Sequence, residues 1–166
     1  MYNRILVPVD GSVTSEAGLT EAIRLARLSG GALRLLHVIE DVPYVGEAAA
    51  YGQWPSERTQ AAIDRGQELL RQCATRVADQ GVQVDTLLIE AGSHRLEHYV
   101  NEQIQSWPAE IVVLGTHGRR GAQRLILGSD AEQILRVSEV PVMLVRHDGK
   151  SDGEQGTSDS VEVAIR

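Results

Sequence analysis

The sequence predicts an α/β fold, with one open, parallel, five-stranded sheet and helices on both faces. Three observations predict it. Five short apolar runs rich in β-branched residues are spread along the 166 residues. A helical apolar pattern fills each interval between one run and the next. The runs are near-continuously apolar rather than alternating, as expected of strands covered on both faces by crossover helices. A hydrophobic content of 42% is enough for one sizeable core.

Taken in order, the first strand is Ile5 to Val9, followed by Asp10-Gly11. Ala17, Ala22, Ile23, Leu25 and Ala26 form a helical stripe that stops at Ser29-Gly30-Gly31. Ala32 to Ile39 is the second strand. The connection from Glu40 to Pro55 is long and carries Tyr44, Tyr51 and Trp54. Connections of that length in a compact domain are more often functional than idle, although packing of such a loop on its own domain is the default. Ala62, Ile63, Gly66, Leu69, Leu70, Cys73 and Val77 recur at helical spacing before Gly81. The third strand is Val82 to Ile89. Ser93 precedes a helix through Leu96, Tyr99, Val100 and Ile104, closed by Trp107-Pro108. Ile111 to Leu114 is the fourth strand, Thr116 to Leu127 a glycine-containing loop, and Ile134, Leu135 and Val137 mark the last helix. Val142 to Val145 is the fifth strand. Beyond it the chain turns to Gly, Ser and acids, which predicts a domain over 1–147 and an acidic, flexible tail over 148–166. Residues 148–160 read as disordered. Val161 to Ile165 alternates like a strand and either adds to a sheet edge or stays idle.

Several function classes fall away on composition. The net charge is −7, and the part before the tail is itself acidic, so the basic footprint of a nucleic-acid binder is missing. There is no run of about 18 apolar residues for a membrane span. The start lacks a signal-peptide pattern, and the single cysteine, Cys73, allows no intrachain disulfide. A cytoplasmic protein is expected. The sole lysine, Lys150, lies in the tail, so neither a phosphate-clamping nor a Schiff-base lysine is available in the domain. A phosphoacceptor receiver domain is rejected as well: the third strand ends in Glu90-Ala91, without an acceptor Asp. His94 and His98 stand four apart, a spacing that can chelate a metal. No third ligand accompanies them, and an ordinary helix surface is the better reading. Cys73 falls on an apolar stripe and reads as core rather than redox chemistry. No catalytic residue and no protein metal site are assigned.

One stretch carries chemistry: Gly115-x2-Gly118-x9-Gly128-Ser129, set between the fourth strand and the last helix. Three glycines and a hydroxyl at fixed offsets arise by chance at roughly 10⁻⁴ per starting position in a chain of this composition. Glycine lets backbone amides approach an anion closely, and a helix N-terminus presents free N–H groups and the positive end of its dipole. The plainer reading is Ser129-Asp130-Ala131-Glu132 as an S-x-x-E capping box, which starts a helix without any ligand. His117 either bonds a phosphate or fills a turn. Arg119, Arg120 and Arg124 are either phosphate partners or a solvated loop face. In an open α/β sheet, ligands sit beyond the carboxyl ends of the strands at the switch point. Asp10, Val38 and Gly115 lie at three such ends.

Together with Arg4 to Ser12 at the start, His37-Val38, and Pro141 to Arg146, this motif makes the chain resemble the universal stress protein family, over roughly residues 2–147. The glycine spacing resembles its ATP-binding branch. The resemblance implies a Rossmann-like sheet in the order 3-2-1-4-5 and a regulatory, stress-response module that binds ATP or another adenine nucleotide, with Mg²⁺ brought by the nucleotide, and acts as a homodimer and through protein partners. Slow ATP hydrolysis, or a partner-binding protein that has lost the nucleotide, are the alternatives. It also implies roles. Pro8, Val9 and Asp10 border the adenosine and Val38 meets the adenine edge. Leu114 and Gly115 line the sugar, while Gly118, Gly128, Ser129 and Asp130 surround the phosphates, with His117 and Arg119 beside them. Asp130 departs from the Val often found there in ATP-binding members. A carboxylate in a helix's first turn competes with phosphate for the same dipole field, worth about 0.3–1 kcal/mol. The fifth strand, Val142 to Arg146, leaves an apolar edge. The resemblance and edge physics both place a second copy there, paired antiparallel across a two-fold.

Overall fold

The computed structural model describes residues 1–39, 57–92, 94–116, 127–146 and 161–164. Within them the chain runs β1 (Arg4–Pro8), α1 (Val13–Ser29), β2 (Ala32–Ile39), α2 (Glu57–Ala78), β3 (Val84–Glu90), α3 (Leu96–Ser106), β4 (Ile111–Gly115), α4 (Ser129–Val137), β5 (Val142–Val145) and β6 (Val161–Ala164). The five expected strands are parallel and take the order 3-2-1-4-5. β6 lies outside β5, antiparallel to it, so of the two readings of Val161 to Ile165 the edge addition is the one observed. The outer edge on which a second copy was expected is thus held by the chain's own last strand. The predicted disorder of residues 148–160 falls outside the described residues, as does the 40–56 connection with its three aromatics.

β1 is central, with Ile5 in register with Leu33 of β2 on one side and Ile111 of β4 on the other. Successive side chains of a strand point to opposite faces, and two cores result. On one face Ile5, Val7, Leu33, Leu35 and Val113 pack under Leu19, Ile23 and Ala26 of α1 and Leu70, Cys73 and Val77 of α2. On the other, Leu6, Leu36, Val112, Leu114 and Leu144 meet Tyr99, Val100 and Ile104 of α3 and Ala131 and Ile134 of α4. Helix ends follow local chemistry. α1 begins at Ser12, whose side chain accepts from the Ser15 N–H, and ends at Gly30 in the left-handed region (φ +71°). α2 ends where the Val82 N–H returns to the Val77 carbonyl, next to Gly81 at φ +73°. That closing turn draws Val82 into the helix terminus, so β3 starts at Val84 rather than at Val82.

Arg34 ties three elements together. Its guanidinium donates Nε and Nη2 to the two carboxylate oxygens of Asp85 on β3 (2.8 and 2.6 Å) and Nη1 to Gln103 Oε1 on α3 (3.0 Å). The same group lies 4.6 Å above the Trp107 ring. Among the described residues no helix is long and apolar enough to cross a membrane.

Candidate functional site

After β1 the chain moves toward β2 and β3; after β4 it moves the other way, toward β5. The carboxyl ends of β1 and β4, adjacent in the sheet, therefore flank the switch point where the crossovers diverge. The structure brings Pro8, Val9, Asp10, Val38, Leu114, Gly115, Gly128, Ser129 and Asp130 to this one edge of the sheet or to the helix start beside it. His117, Gly118 and Arg119, with Arg120 and Arg124, lie outside the described residues.

The β1 end is tightly held. Pro8 and Val9 are buried. The Val9 N–H donates to the Leu36 carbonyl (2.8 Å), and His37 Nδ1 is 2.7 Å from the Val9 carbonyl. With an oxygen acceptor there, Nδ1 carries the proton. His37 is itself buried under α2, where Gly66 makes the room: a Cβ on Gly66 would come within 2.9 Å of His37 Cδ2 and 2.8 Å of Leu88 Cδ1. Sequence reasoning passed over His37 as a site-supporting residue, since one histidine inside an apolar strand carries no pattern.

Asp10 has a local role that the motif did not reveal. Its Oδ1 accepts from the Ser12 N–H (2.9 Å) and its own N–H donates to Ser15 Oγ (3.2 Å), around Gly11 at φ +76°. This is an Asx-turn leading into a capped helix. The Asp10-Gly11-Ser12-x-x-Ser15 spacing is the signal that would have found it. One carboxylate oxygen of Asp10 therefore shapes the loop.

Gly115 is first of all a packing glycine. A Cβ there would lie 2.4 Å from the carbonyl carbon and oxygen of Thr14 and 2.9 Å from the Ser15 N. Gly18, one turn on from Thr14, faces Leu114 and Gly115 from the helix side, where a Cβ would lie 3.0 Å from the Gly115 N. Two glycines let the start of α1 press against the end of β4. Leu114 is buried in the α3–α4 core, which leaves only its backbone toward any ligand. Val38 is half-buried and packs against the same core.

The start of α4 differs from the expected capping box. The N-cap is Gly128 (φ −61°, ψ 148°), and Ser129 is the first helical residue, so Ser129 cannot cap and Glu132 falls one position late. The cause is the loop neck. The Gly128 N–H donates to the Thr116 carbonyl (2.8 Å), and the buried Thr116 donates its own N–H to Val145 of β5 (2.9 Å). This ladder seats Gly128 at the helix boundary and takes Glu132 away from a reciprocal cap; Glu132 pairs with Arg136 instead (2.9 Å). Among the described residues no side chain caps the helix. Its first internal bond runs from the Glu132 N–H to the Gly128 carbonyl. The amides of Ser129, Asp130 and Ala131 are thus left without an intrahelical acceptor, at the positive end of the dipole. Such an end suits an anion, whereas the Asp130 carboxylate, in the same turn, opposes one.

Elsewhere, His94 and His98 stack with ring centroids 4.0 Å apart, and His98 meets Tyr99 edge-on at 5.3 Å. Among the described residues no three His, Cys, Asp or Glu side chains gather to hold a metal. Cys73 is buried in the α1–α2 core.

Comparison with known proteins agrees with the fold. The sequence model described as the universal stress protein family matches residues 1–146. Universal stress protein MJ0531 of Methanocaldococcus jannaschii is 28% identical over 146 residues, covering 88% of this chain and 83% of that protein. The solved structure of hypothetical protein MJ0577 superposes with a TM-score of 0.75 at 22% identity, covering 90% of this chain and 99% of its own. That of a universal stress protein from Archaeoglobus fulgidus in complex with dAMP superposes with a TM-score of 0.62 at 19% identity, covering 86% and 97%.

Proposed function

Because the chain belongs to the universal stress protein family, we propose that it is an adenine-nucleotide-binding regulatory module, with ATP as the nucleotide and Mg²⁺ entering with it. One observation carries this reading: the amides of Ser129, Asp130 and Ala131, which have no intrahelical acceptor and no capping side chain among the described residues, stand beside the switch point between β1 and β4. Pro8, Val9, Asp10 and Val38 are proposed to border the adenosine. The backbone of Leu114 and Gly115 is proposed to border the sugar, and Gly128, Ser129 and Asp130 the phosphates. The Gly128 N–H already serves Thr116, so the phosphate donors narrow to the three amides that follow it. The dAMP complex of the Archaeoglobus fulgidus relative lends support for the ligand class. Cysteine usage alone is the ground for proposing the cytoplasm. A homodimer through Val142 to Arg146 needs the edge that β6 holds, so self-association enters as a competition rather than as a fixed state.

The test is thermal unfolding with ATP, dAMP and adenosine, with and without Mg²⁺. A nucleotide at 100 times its dissociation constant adds about 2.7 kcal/mol of stability, so a clear rise in Tm is expected. No rise at millimolar ATP overturns the proposal.

Asp130 favours a second reading, a partner-binding protein whose nucleotide site has been lost. The Asp130→Val variant separates the two. Tighter ATP binding in the variant supports a site weakened by the carboxylate, and no binding in either form supports the loss.

A further inference from the structure

β2 pairs on two sides. The Leu33 N–H donates to the Gln83 carbonyl, and the Ile39 carbonyl accepts from the Ala91 N–H, so the odd-numbered residues turn their backbone groups toward β3. Alternate residues of a central parallel strand bond to opposite neighbours, so the N–H and C=O of Leu36 and Val38 face β1. There the ladder stops. Its register closes at Pro8 with Leu36, and its last bond runs from the Val9 N–H to the Leu36 carbonyl (2.8 Å). The next bond in sequence would join the Val38 N–H to the Val9 carbonyl. It is not made, and His37 Nδ1 stands 2.7 Å from that carbonyl instead. The bond after that would need the Gly11 N–H, but Gly11 (φ +76°) sits in the turn that leads into α1. Val38 thus keeps one donor and one acceptor, side by side, with no hydrogen-bond partner among the described residues.

His37 is placed to do this. By strand parity its side chain leaves β2 on the face that carries α1 and α2, and Gly66 of α2 leaves just enough room for the ring. A backbone donor and acceptor left open at a half-buried strand end is costly unless something completes the pair. Adenine offers the matching edge, an amino donor beside a ring-nitrogen acceptor. Hypoxanthine has a carbonyl oxygen and a ring N–H in those places, which reverses both signs.

We infer, on the adenine-nucleotide reading proposed above, that His37 is the positioning residue for base recognition: by holding the Val9 carbonyl it stops β1 and β2 from zipping one residue further, and so keeps the Val38 N–H and C=O open to adenine. It acts through Val9 and Val38 rather than by contact with the base.

Two measurements test this on the native chain and on His37→Phe, His37→Leu and His37→Asn. Phe keeps a ring without a donor, Leu is a smaller apolar group, and Asn returns an N–H donor close to the Nδ1 position. Amide hydrogen exchange is read without ligand. The Val38 amide is expected to exchange readily in the native and Asn forms and to be protected in the Phe and Leu forms, where it claims the Val9 carbonyl. Titration then compares ATP with ITP. The preference for ATP is expected to fall roughly ten-fold in the Phe and Leu forms and to return in the Asn form. General damage to the site would weaken both nucleotides alike and leave their ratio unmoved. A Val38 amide already protected in the free native chain overturns the inference, as does one that stays unprotected in both the Phe and Leu forms. So does an unchanged ATP-to-ITP ratio in those two forms, or an Asn form that restores nothing. A native chain that binds neither nucleotide overturns the adenine reading itself and takes this inference with it. The exchange data, taken without nucleotide, keep that failure apart from a failure of the role assigned to His37.

Discussion

Gly115 and Gly66 show how much of this molecule rests on single absent side chains. A Cβ at Gly115 meets backbone atoms of Thr14 at 2.4 Å, and backbone cannot turn aside as a side chain can. Gly115→Ala is expected to destabilise by roughly 2–4 kcal/mol, measured by urea unfolding, even with no ligand present. A purely ligand-contacting glycine would cost nothing in that assay. Cys73 makes a second residue-scale prediction. Burial, aided by the nearby Glu16 carboxylate, pushes its thiol from 9.0 up to about 11, with Arg76 pulling slightly the other way. The folded form therefore favours the protonated thiol. The resulting stability is fully present below the unfolded pKa and is lost as pH rises from 9.0 toward about 11. Urea unfolding of the native chain and of Cys73→Ala, at neutral pH and across that window, should show the extra alkaline loss in the native chain alone. The thiol should also stay silent to disulfide reagents at neutral pH until the protein unfolds. Rapid labelling of the native protein would contradict its place in the core.

Among the elements, the legible and the illegible divide on range. The apolar runs of β1, β2, β4 and β5 and the stripes of α1 to α4 are visible in the sequence because burial on a periodic face is a local pattern. The start of α4 is not, because it is decided at a distance. Ser129-x-x-Glu132 has the spacing of a capping box, but Thr116, far back along the loop, claims the Gly128 amide and shifts the cap by one residue. Likewise Gly115 reads as a ligand glycine in its motif, and only the closeness of Thr14 reveals the packing role. His37 escaped for the same reason, its partner Val9 lying at the end of another strand, whereas the Asp10 turn is local and its Asp10-Gly11-Ser12 spacing was legible in principle. The Arg34 cluster was equally hidden. Arg34→Ala is expected to cost about 1–3 kcal/mol in unfolding free energy, since it strands Gln103 and breaks a bidentate pair. Arg34→Lys should recover less than half of that, because an ammonium matches neither the fork geometry nor the Trp107 face. Equal stability of the Lys and native forms would show that only the charge matters.

Taken as a whole, the molecule has two faces of helices, one switch point and one sheet edge that its own tail closes. The alternation of strands and helices foretold the architecture, and the family resemblance supplied the strand order that the structure reproduces. A five-stranded edge left bare would be an invitation to pair; the alternating Val161 to Ile165 already hinted at the answer, and the register with β5 supplies it. The proposed chemistry sits at the other critical place, where the crossovers after β1 and β4 diverge and the N-cap of α4 is Gly128, which has no side chain to cap it. Its central claim is that the first amides of α4 receive the phosphates of an adenine nucleotide. Amide chemical shifts during titration with ATP test this most directly. The account predicts saturable shifts at Ser129, Asp130 and Ala131 together with Val9, Asp10 and Val38, and much weaker ones with adenosine. Unmoved amides at the start of α4 while ATP saturates some other surface, or no shifts anywhere, would contradict it.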